Sequence, residues 1–207
     1  MAFTSSAEFL PYCSVAIRSC LDNLGGDVTV HLLHDGALTG HARLPELEAM
    51  VASFGAALEV HGVDKDALGA LPLTEQYRTV VFLYYLLPQL VPEASRVLYL
   101  DADLLVTGPL DDLVATDLAG APLAAVANVV PLYERARIQA LGIANPLRYL
   151  NSGVLLLDLD WWRAHDATET LFATALARAD EITYADQDTL NIVFDGRWHA
   201  LHPRWNA

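Results

Sequence analysis

Val97-Leu98-Tyr99-Leu100-Asp101-Ala102-Asp103-Leu104-Leu105-Val106 carries an apolar run into two carboxylates and out again. Four consecutive apolar residues read as a strand covered on both faces. If extended geometry continues past Leu100, the aspartates at i and i+2 project to one side. There the like charges repel and loss of water disfavours both. A hard divalent cation with oxygen ligands is the common remedy. The alternative is a polar strand end that merely enters a turn.

Outward from this stretch, strands are predicted over 2–4, 28–33, 57–63, 97–100, 123–127, 153–157 and 198–201. Helices are predicted over 9–24, 44–54, 76–91, 161–179 and 186–194. Strands that read as solid apolar runs and alternate with helices indicate an α/β fold, here one domain over 1–207 with an open, mostly parallel sheet. Ligands of such sheets bind outside the carboxyl ends of the strands. Ser5, Ser6, Asp101, Asp103 and Asn128 all fall at such ends, and Asn151-Ser152 brackets the run at 153–157.

The 207 residues are 54% hydrophobic and carry a formal charge of −14, which argues against nucleic acid or an anionic membrane surface as partner. Lys65 is the single lysine. A phosphorylated ligand would therefore need a cation, a helix N-terminus or a well-placed arginine. The longest apolar run, Val80 to Leu87, stops at Pro88 and is far too short to cross a bilayer. No signal-peptide pattern follows Met1, so a cytoplasmic protein is expected. Cys13 and Cys20 lie seven residues apart on one predicted helix, about 10 Å by helical rise. That is too far for a disulfide, and reduced core thiols are expected. His31, His34, His41, His61 and His165 show no ligand spacing, and no role is assigned to them.

Three blocks in order resemble the family 8 glycosyltransferases of the GT-A type. They are the 97–106 stretch, Tyr149-Leu150-Asn151-Ser152-Gly153-Val154-Leu155-Leu156-Leu157-Asp158-Leu159, and Ala185-Asp186-Gln187-Asp188-Thr189-Leu190-Asn191. The resemblance implies a retaining transferase that moves a hexose from a UDP-sugar to a saccharide or other hydroxyl acceptor. Mn²⁺ or Mg²⁺ would sit between the diphosphate and its ligands Asp101 and Asp103, with Ala102 between them in the donor site. It also implies Asn151 on the sugar or diphosphate side, Gln187 at the reacting face of the sugar, and Asp186 and Asp188 on sugar hydroxyls. The bland reading of the last two is helix capping by Asp186 with Asp188 in a favourable first turn.

The chain departs from the family pattern in several places. Ser6 replaces an acid and Glu8 an amide in the opening loop, where Phe9 can still stack on a base. Tyr84 stands at the position of a phosphate-touching arginine, and Asn128 where an aspartate is frequent. The family's third metal ligand, a histidine in a His-x-x-Gly-x-x-Lys-Pro-Trp segment, has no counterpart before Ala207. An open donor pocket is expected in consequence, with Trp198, Leu201 and Trp205 forming an apolar patch that a second copy of the chain would cover. Two other readings stay open: a degenerate member that binds nucleotide, metal or partner without turnover, and a haloacid-dehalogenase-type phosphatase. The phosphatase is disfavoured because Leu105 stands where that family needs Thr or Val.

Overall fold

The computed structural model describes residues 1–63 and 79–206. Within them lie seven strands: β1 (Ala2–Thr4), β2 (Thr29–His34), β3 (Ala57–Gly62), β4 (Arg96–Leu100), β5 (Leu123–Ala127), β6 (Leu150–Asp158) and β7 (His199–Ala200). They form one sheet in the order β3-β2-β1-β4-β6-β5-β7. Every pairing is parallel except those of β6, which runs against both β4 and β5. The mixed, mostly parallel sheet expected of a GT-A fold is what the chain forms.

Alternation along the strands divides the core into two layers. Ala2, Leu33 and Tyr99 face one, while Phe3, Leu32 and Leu98 face the other. The first layer is closed by α6 (Leu159–Ala164), α7 (Ala167–Ala177) and α8 (Ala185–Val193), the second by α1 (Leu10–Leu21) and α2 (Leu44–Ala52). With both faces covered, β4 from Val97 to Leu100 is buried throughout, which is why its sequence is unbroken in apolar character.

Three element readings are corrected. The helix predicted over 161–179 is two helices, because Asp166 adopts φ 48° between α6 and α7. Residues 76–78 of the helix predicted over 76–91 lie outside the described residues, and Thr79–Leu86 winds as a 3₁₀ helix before the single α-turn α3 (Leu87–Leu90). Pro88 accounts for this, since proline is tolerated only in the first turn of an α-helix. Finally, the strand predicted over 153–157 begins at Leu150, so Asn151 and Ser152 lie inside β6 and not in a turn before it. Short helices α4 (Asp111–Val114) and α5 (Arg135–Ala140) were not predicted.

Cys13 and Cys20 are free and buried, and burial pushes both thiols up to about 12, so they behave as core apolar groups. The histidine reading is also corrected: His31 and His61, thirty residues apart, meet across β2 and β3 with ring nitrogens 3.2 Å apart. The expected apolar patch near the chain end is not there. Trp198 and Leu201 are buried, and Trp205 is half-buried against the second core layer. These three residues therefore leave no exposed apolar face for a second copy of the chain to cover.

Candidate functional site

The reversal of β6 assembles the site. An antiparallel strand presents its amino end where its parallel neighbours present their carboxyl ends, so Asn151-Ser152-Gly153 arrives beside the end of β4. The Asp101 N–H donates to the Gly153 carbonyl at 2.9 Å, extending the pairing one residue past β4. After Asp101 the chain turns, so Asp101 and Asp103 are not consecutive same-side residues of a strand. The turn nevertheless leaves both lining the same two cavities, one of about 840 Å³ and one of about 350 Å³. Asp103 is exposed, and Asp101 is half-buried.

Asp101 is held on several sides. The Tyr99 hydroxyl donates to its Oδ1 at 3.0 Å, and Thr4 Oγ1 lies 3.2 Å from the same hydroxyl. A Cβ at position 153 would meet Asp101 Oδ2 at 3.0 Å and Asn151 Oδ1 at 3.1 Å. Glycine there is thus a spatial requirement, because it lets the strand floor approach the carboxylate. Asn151 Oδ1 accepts from the Gly153 N–H at 2.8 Å and from Asn206 Nδ2 at 2.7 Å, which ties the chain end to the rim. Loss of water pushes the Asp101 carboxyl up to about 6; the Tyr99 hydrogen bond opposes this and the Asp103 charge adds to it. A carboxylate pair with this unrelieved charge, above a floor kept clear by glycine, fits a hard divalent cation.

Asp186 reaches the same rim from the first turn of α8, whereas Gln187 beside it lines neither cavity. Gln187 Oε1 accepts from the Ser152 N–H at 3.2 Å, and Asp186 Oδ2 from the Tyr84 hydroxyl at 2.8 Å. Ser152 and Asp186 line the smaller cavity with Asp101. Asp186 does not cap α8: the cap position is Tyr184, without a side-chain hydrogen bond. Burial first, and the Asp101 charge second, push its carboxyl up to about 7.

Asp186 therefore holds its proton in the folded state at pH values where an unfolded aspartate has lost it. Stability is then greatest below the unfolded value near 4 and declines as pH rises toward 7, by up to about 4 kcal/mol from this group. Asp101 acts in the same direction. Urea midpoints of the metal-free protein should fall between pH 5 and pH 7.5. Asp186→Asn should flatten that decline, and an unchanged slope in the variant would refute the assignment.

Asp188 is engaged quite differently. It is fully buried and lines neither cavity. Its oxygens accept from Arg137 Nη1 at 3.0 and 2.9 Å, from the Tyr149 hydroxyl, and from the Thr183 and Tyr184 N–H groups at 2.8 Å each. The last two are backbone donors at the start of α8, so Asp188 fixes the segment on which Asp186 and Gln187 ride.

Of the opening-loop residues, Ser6 and Phe9 line the smaller cavity; Ser6 Oγ accepts from the Phe9 N–H at 3.4 Å, and Phe9 is 48% exposed. Ala102 lines it as well. Asn128 follows β5, donates its N–H to the Tyr149 carbonyl at 2.7 Å, and lines neither cavity. Tyr99, Tyr84, Ser152 and Asn206 went unassigned in the sequence. Tyr99 was detectable, since two residues before Asp101 in a strand is the same side. The others are brought in by separate elements, and the residues around each do not show which site group it meets.

A sequence model of glycosyl transferase family 8 matches residues 1–207. Lipopolysaccharide 1,2-glucosyltransferase of Escherichia coli (strain K12) is 29% identical over 214 residues, covering 100% of this chain and 61% of that protein. General stress protein A of Bacillus subtilis (strain 168) is 28% identical over 165 residues, covering 78% of this chain and 57% of that one. The chain thus spans about three fifths of the length of these relatives. Among solved structures, galactosyltransferase LgtC in complex with donor and acceptor sugar analogs superposes with a TM-score of 0.87 at 27% identity, over 98% of this chain and 73% of LgtC. An LgtC active-site mutant, glutamine to glutamate, superposes with a TM-score of 0.88 at 26% identity.

Proposed function

The chain belongs to glycosyl transferase family 8, and we propose that it transfers a hexose from a UDP-sugar to a saccharide or other hydroxyl acceptor, with retention at the sugar carbon. The observation that carries this reading is the convergence of Asp101, Asp103, Asn151 and Asp186 on the two adjoining cavities, with Gln187 against Ser152 at their edge, although they come from three separate elements. The nucleotide is assigned to the smaller cavity, with the base against Phe9 and the diphosphate toward the aspartates. Asp101 and Asp103 would hold Mn²⁺ or Mg²⁺, which neutralises charge on the departing diphosphate. The buried thiols fit a reducing, cytoplasmic setting.

Gln187 is given the reacting face. A neutral amide beside an electron-poor sugar carbon offers an oxygen dipole without being a strong nucleophile. Its Oε1 is held by the Ser152 N–H, so the amide is oriented before substrate arrives. That LgtC has a glutamine in its active site supports the assignment.

The test is a screen of UDP-hexoses with Mn²⁺ and sugar acceptors, reading UDP release and product. Gln187→Ala is expected to lower kcat by about 10²-fold or more while leaving the UDP Kd within about threefold, because the lost contact acts mainly in the transition state. An unchanged kcat would return Gln187 to a structural role. Metal and UDP binding without transfer to any acceptor would favour the non-catalytic reading.

A further inference from the structure

His31 on β2 and Glu59 and His61 on β3 form a second cluster that shares no residue with either cavity. The parallel register brings them together: His31 stands opposite Glu59 and Leu33 opposite His61, and alternate residues of one strand share a face. His31 Nδ1 lies 3.2 Å from His61 Nε2 and 3.2 Å from Glu59 Oε2, and the last two atoms are 3.8 Å apart. A triangle of these sides has a point about 2.0 Å from every corner, which is the length of Zn–N and Zn–O bonds. Three ligand atoms already stand where one small cation would draw them.

The surroundings agree. The side chains of His31 and His61 are only 9% and 16% exposed, whereas Glu59 is 56% exposed. The cluster is therefore walled on the imidazole side and open at the carboxylate, which leaves a position for water.

We propose that His31, Glu59 and His61 bind one Zn²⁺ ion and thereby tie the edge strand β3 to β2. Donor chemistry separates this site from the rim at β4: carboxylates alone suit Mg²⁺ or Mn²⁺, while two imidazoles with one carboxylate suit a borderline ion such as Zn²⁺. A metal cross-link at β3, the edge strand among the described residues, also reduces fraying there. The proposal is independent of the transferase reading.

Calorimetric titration with ZnCl₂ alone at pH 7.5 tests it on the full chain, on His61→Ala, on Glu59→Gln and on Asp101→Asn. The wild type and Asp101→Asn should each bind one Zn²⁺ with equal affinity. His61→Ala and Glu59→Gln should each lose at least about tenfold, since each removes a ligand. Zn²⁺ should raise the thermal midpoint of the first two proteins and not of the others. Turnover of UDP-sugar by Glu59→Gln should match the wild type. Equal Zn²⁺ affinity in all four proteins, or loss in Asp101→Asn alone, would overturn the proposal.

Discussion

Replacing Asp188 with alanine should cost about 3–5 kcal/mol of stability, the usual penalty for removing one partner of a buried ion pair. Four donor groups would be stranded at once. The Arg137 guanidinium loses the carboxylate that its Nη1 contacts through both oxygens, keeping Glu134 at 2.7 Å from its Nε and the face of the Tyr184 ring. The Tyr149 hydroxyl loses its acceptor in a buried setting, and the Thr183 and Tyr184 N–H groups at the start of α8 lose theirs. Unpaired buried donors carry most of this cost. Against a typical domain stability of about 5–15 kcal/mol, the loss is a large fraction. Urea denaturation reads it as a shift in midpoint at unchanged slope. Asp188→Asn, which keeps one oxygen, should fall between alanine and the wild type. A loss below about 1 kcal/mol for alanine would mean that the network is not what holds α8 in place.

Asp101→Asn should separate activity from stability. On the proposed reading it removes a charged ligand, and kcat/KM for UDP release should fall on the order of 10²–10³-fold, comparable to losing one well-placed electrostatic group. Stability should move the other way. The native state holds this carboxyl near 6, above the unfolded value near 4, so at pH 7.5 the ionised form destabilises the fold. Asparagine is neutral at every pH and can still accept from the Tyr99 hydroxyl at Oδ1. The metal-free variant should therefore be about 1–3 kcal/mol more stable than the wild type at pH 7.5, the gap closing toward pH 4. Turnover assays with Mn²⁺ and paired urea titrations at the two pH values check both halves. Unaltered turnover would remove Asp101 from the metal site. Lowered stability at pH 7.5 would show that the carboxylate is a structural acceptor first.

The strain at Asp101 and the satisfaction of Asp188 show how unequally the site was legible. Both aspartates lie in conspicuous acidic motifs, and the family resemblance implied a place at the donor for each, Asp101 on the metal and Asp188 on sugar hydroxyls. Their surroundings separate them: Asp101 keeps one tyrosine donor beside an open rim, whereas Asp188 is enclosed by an arginine, a tyrosine and two backbone donors. Tyr149 and Arg137 lie 39 and 51 residues away from Asp188, so no window of local sequence contains the network. His31 and His61 escaped for the same reason.

The sequence by itself determined that 97–100 is a buried strand, that strands alternate with helices around a mostly parallel sheet, and that Asp101, Asp103 and Ser6 fall at carboxyl ends. These follow from hydrophobic periodicity and chain order, which are local properties. Only the tertiary structure decided that β6 runs backwards and so delivers Asn151 and Gly153 to Asp101. It also decided that Asp186 faces the cavity while Asp188 does not, and that β2 and β3 align two histidines with a glutamate. Strand direction and register depend on pairing energies between segments far apart in the chain. A carboxylate's role likewise depends on which donors those pairings bring within about 3 Å of it.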